Sequence, residues 1–163
     1  MNKADTRREL IARRLSLDSQ DVALWGASIV ERLIQTLPES LEGVVHVYTS
    51  HQGWNEVDTS LVMERLTAMA PAISLVTSSH SIAAPQPVGT FQLIIVPILG
   101  FDETCSRIGM GAGWYDQFLA SQPQALKIGL AFERQKNNII PVEDHDVKLD
   151  MIVTERVVYS GDP

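Results

Sequence analysis

The stretch from Gln92 to Leu119, QLIIVPILGFDETCSRIGMGAGWYDQFL, constrains the fold of this chain more than any other. It opens on an apolar run from Leu93 to Leu99, interrupted only by Pro97. The run is far short of the roughly 20 apolar residues that cross a membrane, and it has the length of a strand buried on both faces. A loop with Asp102 and Arg107 follows, then Gly109, Gly111 and Gly113 at alternate positions. Trp114, Tyr115, Phe118 and Leu119 then return at helical spacing. Strand, glycine loop and helix in this order suit an anion: glycine lets the backbone approach a phosphate closely, and the following helix start adds N–H groups. Arg107 supplies charge-assisted hydrogen bonds to such a group, and Asp116 suits a magnesium ion bridging phosphates. Taken alone, the glycines equally fit an ordinary strand-to-helix turn. Their spacing matches neither the Walker loop nor the dinucleotide fingerprint.

The same residues resemble a family. VPILGFDETCSRIGMGAGWYDQFL is similar to the hallmark loop of the 5-formyltetrahydrofolate cyclo-ligases, also called methenyltetrahydrofolate synthetases, over an ungapped stretch. The departures are Cys105 where the family has glycine, Ala112 where it has glycine or lysine, and Trp114 in place of the usual tyrosine. Met110 and Gln117 replace residues that are often basic. A second resemblance lies in FERQKNNIIPVEDHDVKLDMIVTE, residues 132–155, where Gln135, Pro141, His145, Asp146, Asp150, Thr154 and Glu155 match the family's closing segment.

The resemblance implies an ATP-dependent reaction on 5-formyltetrahydrofolate, in which the formyl oxygen takes the γ-phosphoryl group of MgATP and N10 attacks the activated carbon. Phosphate then leaves to give 5,10-methenyltetrahydrofolate. It also implies roles for residues of this chain. Lys3, Arg7, Arg107 and the run Gly109, Met110, Gly111, Ala112, Gly113, Trp114 and Tyr115 are expected at the nucleotide, with Asp116 and Asp146 on the magnesium side. Glu56 and Tyr115 face the folate, and Arg107 and Tyr115 carry the catalytic assignment. Lys3 and Arg7 are four apart and share a helix face, which a solvated basic helix explains as well. Glu56 equally suits the favourable start of the next helix, and Glu143 to Asp146 an exposed acidic loop.

Elsewhere the pattern alternates helix and strand. Helices are expected from Lys3 to about Leu15, from an Asp18 cap to about Leu37, and from an Asp58 cap to about Met69. Strands are expected at Val44–Tyr48, Ile73–Val76 and Lys127–Phe132, with Thr77–Thr90 a loop. Trp25 belongs to a helical apolar stripe and reads as core, while His46 and His51 have no obvious role. The segment from Thr59 to Phe91 is shorter than the family's, which removes much of what covers the folate. That raises an alternative: a diverged paralogue that binds a nucleotide or another anion without cyclising folate.

The expected architecture is a single α/β domain over 1–163, a three-layer α/β/α sheet, and the resemblance implies a fold similar to the NagB/RpiA/CoA-transferase group. A net charge of −7 and a pI of about 5.0 argue against a nucleic-acid surface. The single cysteine, Cys105, rules out an internal disulfide. No signal-peptide pattern or membrane-length apolar run occurs, so a soluble cytoplasmic protein is expected, monomeric or weakly dimeric, with folate and ATP as its small-molecule partners.

Overall fold

The computed structural model describes residues 2–78 and 84–161. Its centre is a mostly parallel sheet built around the apolar run. The strands are β1 (Gly43–Tyr48), β2 (Ile73–Ser78), β3 (Leu93–Pro97), β6 (Leu126–Leu130), β7 (Met151–Val153) and β8 (Val158–Ser160), in the order β2-β1-β3-β6-β7-β8. β8 alone runs antiparallel, on the edge. β3 is the central rung, with Ile95 opposite Val47 on one side and Ile128 on the other. Leu93, Ile94, Ile95 and Val96 are all fully buried. Their alternation sends Leu93 and Ile95 to one face and Ile94 and Val96 to the other.

Helices cover both faces, as expected for a parallel sheet. α2 (Ser19–Thr36) and α3 (Thr59–Met69) pack Ile29, Leu33, Val62 and Leu66 onto Val45, Val47, Leu93 and Ile95. Both start where a side chain can satisfy an orphan amide: Asp18 accepts from Gln20 N at 2.8 Å and Asp58 from Ser60 N at 2.9 Å. α4 (Trp114–Ala120) covers the opposite face with Phe118 and Leu119 against Ile94, Val96 and Ile152. Trp25 is half-buried beside Phe132, with ring centroids 6.4 Å apart.

α1 (Lys3–Leu15) caps the sheet end rather than a face. Its Leu10 packs with Leu99, Ile108 and Ile140. Asn2 caps its start by accepting from Asp5 N at 2.9 Å. At its end, Asn55 Nδ2 donates to the carbonyls of Arg14 and Leu17 at 3.1 and 3.2 Å.

Four parts of the chain differ from the sequence reading. The apolar run leaves the sheet at Pro97, which has no N–H for the ladder, and Leu99 N turns to Ile108 O at 2.9 Å. The presumed loop holds a small antiparallel hairpin, β4 (Gly100–Phe101) and β5 (Arg107–Ile108). The strand expected at Lys127–Phe132 spans Leu126–Leu130, because the Gln135 side chain takes the Phe132 amide at 2.9 Å and starts a tight turn. Of the Thr77–Thr90 loop, Thr77 and Ser78 belong to β2, 84–90 is irregular, and 79–83 lies outside the described residues.

Candidate functional site

Chain order fixes where a ligand can sit. From β1 the chain passes to β2 on one side, then returns to place β3 on the other, so the loops after β1 and β3 diverge at the carboxyl ends of neighbouring strands. Such a switch point opens a crevice in α/β sheets. Here the crevice is a cleft of about 480 Å³, walled by α1, the loop after β1, and the hairpin and glycine loop after β3. Every residue singled out from sequence as a candidate lines it: Lys3, Arg7, Glu56, Arg107, the run from Gly109 to Tyr115, Asp116 and Asp146.

The hairpin is shaped by its turn. Asp102 accepts from Thr104 N at 3.0 Å and Thr104 Oγ1 at 2.7 Å, and its second oxygen takes Ile140 N at 2.9 Å, so this carboxylate is structural. Cys105 has φ +58°, a left-handed conformation that explains glycine in the family loop. Its side chain is fully buried, and burial pushes the thiol up to about 11. Cys105 is therefore a packed, protonated thiol and no nucleophile.

Arg107 leaves β5 with its side chain only 4% exposed and donates to Asp116 Oδ1 at 2.7 Å. The same oxygen accepts Val147 N at 3.1 Å. Burial draws the Arg107 pKa down, and the Asp116 charge opposes it. Asp116, expected as a magnesium ligand, thus also holds Arg107, through Oδ1. Arg107 Nε has no hydrogen-bond partner.

The glycine loop is held from α1. Arg7 Nε donates to Gly109 O at 3.0 Å, and a Cβ at Gly111 would stand 3.2 Å from the Arg7 guanidinium carbon. Gly111 also has φ +104°, which an L side chain adopts only with strain. Gly111→Ala is therefore expected to cost about 1–2 kcal/mol of stability and to push Arg7 off the loop. Calorimetry should register a Tm lower by about 2–8 °C.

Lys3 reaches across the cleft mouth to Asp146 at 2.6 Å and Glu143 at 2.9 Å. Burial alone lowers the Lys3 pKa, but hydrogen bonds from its ammonium to Asp146 and Glu143 outweigh it and raise the value. Asp146 moves the other way: burial favours its neutral form, and the Lys3 and Glu143 N–H hydrogen bonds overcome this and hold it low. Glu143, His145 and Asp146 offer ligand atoms within 4.8 Å of one another, and among the described residues this is where a cation could be gathered. Asp116 is not part of that group.

At the inner end Glu56 accepts from His51 N at 2.7 Å and lies 3.9 Å from Arg14. Tyr115 is part-buried against Trp114, with ring centroids 4.8 Å apart, and burial raises its hydroxyl pKa, so it stays a neutral hydrogen-bonding group. Trp114 Nε1 donates to Ala84 O at 3.0 Å, tying the shortened middle segment to the start of α4.

Sequence reasoning gave no site role to Arg14, Trp54, Glu143 or His145, all of which line the cleft. Arg14 was within reach, because Lys3, Arg7 and Arg14 at spacings of four and seven share one helical face.

The comparisons with known proteins bear on this geometry. The sequence profile of the 5-formyltetrahydrofolate cyclo-ligase family matches residues 68–155, more than half of the chain. The chain belongs to the 5-formyltetrahydrofolate cyclo-ligase family. The 5-formyltetrahydrofolate cyclo-ligase of Mycoplasma pneumoniae is 25% identical over 168 aligned residues, covering 95% of this chain and 99% of that protein. The Escherichia coli K12 protein of the same name is 25% identical over 179 residues, covering 91% and 97%. The structure of a 5,10-methenyltetrahydrofolate synthetase from Mycoplasma pneumoniae superposes with a TM-score of 0.78 at 25% identity, covering 96% of this chain and 100% of that one. An Aquifex aeolicus 5,10-methenyltetrahydrofolate synthetase shares the fold, with a TM-score of 0.76 at 23% identity and coverage of 98% and 93%. The near-complete match within 168 positions shows that a cyclo-ligase by name can be as compact as this chain. Among the described residues no helix is long and apolar enough to cross a membrane.

Proposed function

We propose that this chain is an ATP-dependent cyclo-ligase that converts 5-formyltetrahydrofolate to 5,10-methenyltetrahydrofolate. The observation that carries the reading is the convergence of three cations, Lys3, Arg7 and Arg107, on one glycine-loop cleft whose other end holds Glu56 and Tyr115. Three cations around a backbone that can approach closely suit a triphosphate, and a partly apolar inner end suits a pterin ring. Phosphoryl transfer asks the protein for positioning and charge stabilisation rather than for a nucleophile. Arg107, pinned by Asp116, is poised to stabilise charge on the transferring group, and Arg7 sets the glycine loop while facing the phosphates. Lys3 exchanges its carboxylate partners for phosphate oxygens. Tyr115, kept neutral by burial, contacts the folate and is no general base.

The Glu143 and Asp146 carboxylates suit a hard divalent cation such as magnesium brought in with the triphosphate, and that ion would neutralise phosphate charge there. We place the metal on these two residues and assign Asp116 to Arg107. We take the chain to act in the cytoplasm, as a monomer or weak homodimer.

Ligand-dependent melting tests the reading. A ligand at a hundred times its Kd stabilises by about 2.7 kcal/mol, about 5–10 °C for a chain of this size. MgATP and 5-formyltetrahydrofolate should each raise Tm in a concentration-dependent way. A shift with ATP alone would favour the diverged nucleotide-binding paralogue.

A further inference from the structure

The cleft's inner end holds a charged pair, Glu56 and Arg14, of which the reaction as described gives Arg14 no part. Arg14, in the last turn of α1, is 4% exposed and lines the cleft. Its Nη1 stands 3.9 Å from Glu56 Oε1, too far for a hydrogen bond, and 3.5 Å from Ile98 O, at the limit of one. Its Nε–H has no hydrogen-bond partner. A buried guanidinium stays charged, and a donor left unsatisfied away from water is costly. The pair is also braced. Asn55, next to Glu56 in sequence, ties its own loop to the end of α1 through the carbonyls of Arg14 and Leu17. Both side chains are about 95% buried and so are held in position.

A cationic donor and an anionic acceptor, paired side by side but beyond hydrogen-bond distance, complement a ligand edge that carries an acceptor beside a donor. A ring amide presents such an edge, C=O next to N–H, and the pterin of a folate has one. We propose that Arg14 is a specificity-determining residue that donates to the ring oxo group of the folate while the neighbouring N–H faces Glu56. The proposal rests on the folate reading above and adds the group that selects oxo-pterins. A ligand with an amino group in place of the oxo oxygen sets donor against donor at Arg14, and an unpaired buried donor discriminates strongly.

The test compares 5-formyltetrahydrofolate with its 4-amino-4-deoxy counterpart by calorimetric titration of the intact chain. The native protein is expected to prefer the oxo compound at least tenfold. Arg14→Gln, whose amide can either donate or accept, should bring that preference below about threefold. It should also raise the folate KM about tenfold and leave the ATP KM within twofold. A purely structural role would lower Tm without changing the preference. Should Arg14→Gln fail to fold, Arg14→Lys keeps the charge, lacks the guanidinium fork, and is expected to lose most of the preference. A folded variant with the native preference overturns the proposal. A native protein that binds neither compound overturns the folate reading and this inference with it; one that binds both equally overturns this inference alone.

Discussion

Arg107→Met should lower kcat/KM by about a thousandfold, the range found when a charge-stabilising group is removed from a phosphoryl or acyl transfer site. The same change should also destabilise the protein. It leaves Asp116, 18% exposed, without the guanidinium that neutralises it, and breaking a largely buried pair costs about 3 kcal/mol. Tm should fall by about 6–12 °C. Arg107→Met alone therefore cannot separate the two roles. The double variant Arg107→Met/Asp116→Asn can, because the asparagine oxygen still accepts the Val147 amide and no unpaired charge remains. It should regain most of the lost stability and none of the lost turnover. Recovery of both, or loss of stability with turnover intact, would remove Arg107 from the chemistry.

Acidification should destabilise the protein through His46. This side chain is fully buried in β1, ringed by Phe91, Trp114, Tyr115 and Phe118, with centroid distances of 5.0 to 6.4 Å. Nε2 lies 2.6 Å from Ser78 Oγ, and Nδ1 has no hydrogen-bond partner. Burial lowers its pKa to about 4, against 6.5 for an ordinary imidazole. Between those values the unfolded chain binds a proton that the folded chain refuses, so stability rises with pH there. The contribution is fully present above about pH 6.5 and is lost as pH falls towards 4; over the whole window it amounts to about 3 kcal/mol. Denaturant unfolding at a series of pH values should show this slope in the native protein, and the difference from His46→Phe isolates it from the carboxylates. Parallel curves for the two proteins would contradict the assignment.

Much of the site was legible because one contiguous stretch carries it. From Arg107 to Asp116 the chain supplies the anchoring cation, the glycine backbone, both aromatics and the carboxylate that holds Arg107. The central strand and the helix starts at Asp18 and Asp58 were equally plain, since periodicity and side-chain capping act over a few residues. What escaped depends on groups far apart in the chain. Lys3 meets Asp146 across 143 positions, and no local pattern reports such a contact. The β4–β5 hairpin has only two residues per strand, below the length at which alternation can be seen. Asp116 illustrates the limit well. A carboxylate after a glycine loop reads as a metal ligand from sequence, and its contacts with Arg107 and the Val147 amide show only in the fold. His46 was passed over because an isolated histidine in an apolar strand carries no spacing signal. Its environment comes from the Phe91 loop and α4 closing over β1.

The most direct measurement is turnover by the purified protein supplied with MgATP and 5-formyltetrahydrofolate, following the absorbance of 5,10-methenyltetrahydrofolate. Product is expected only when ATP is present, with one ADP and one phosphate formed for each methenyl group. Folded protein that binds ATP and forms no methenyl product would contradict the proposed activity.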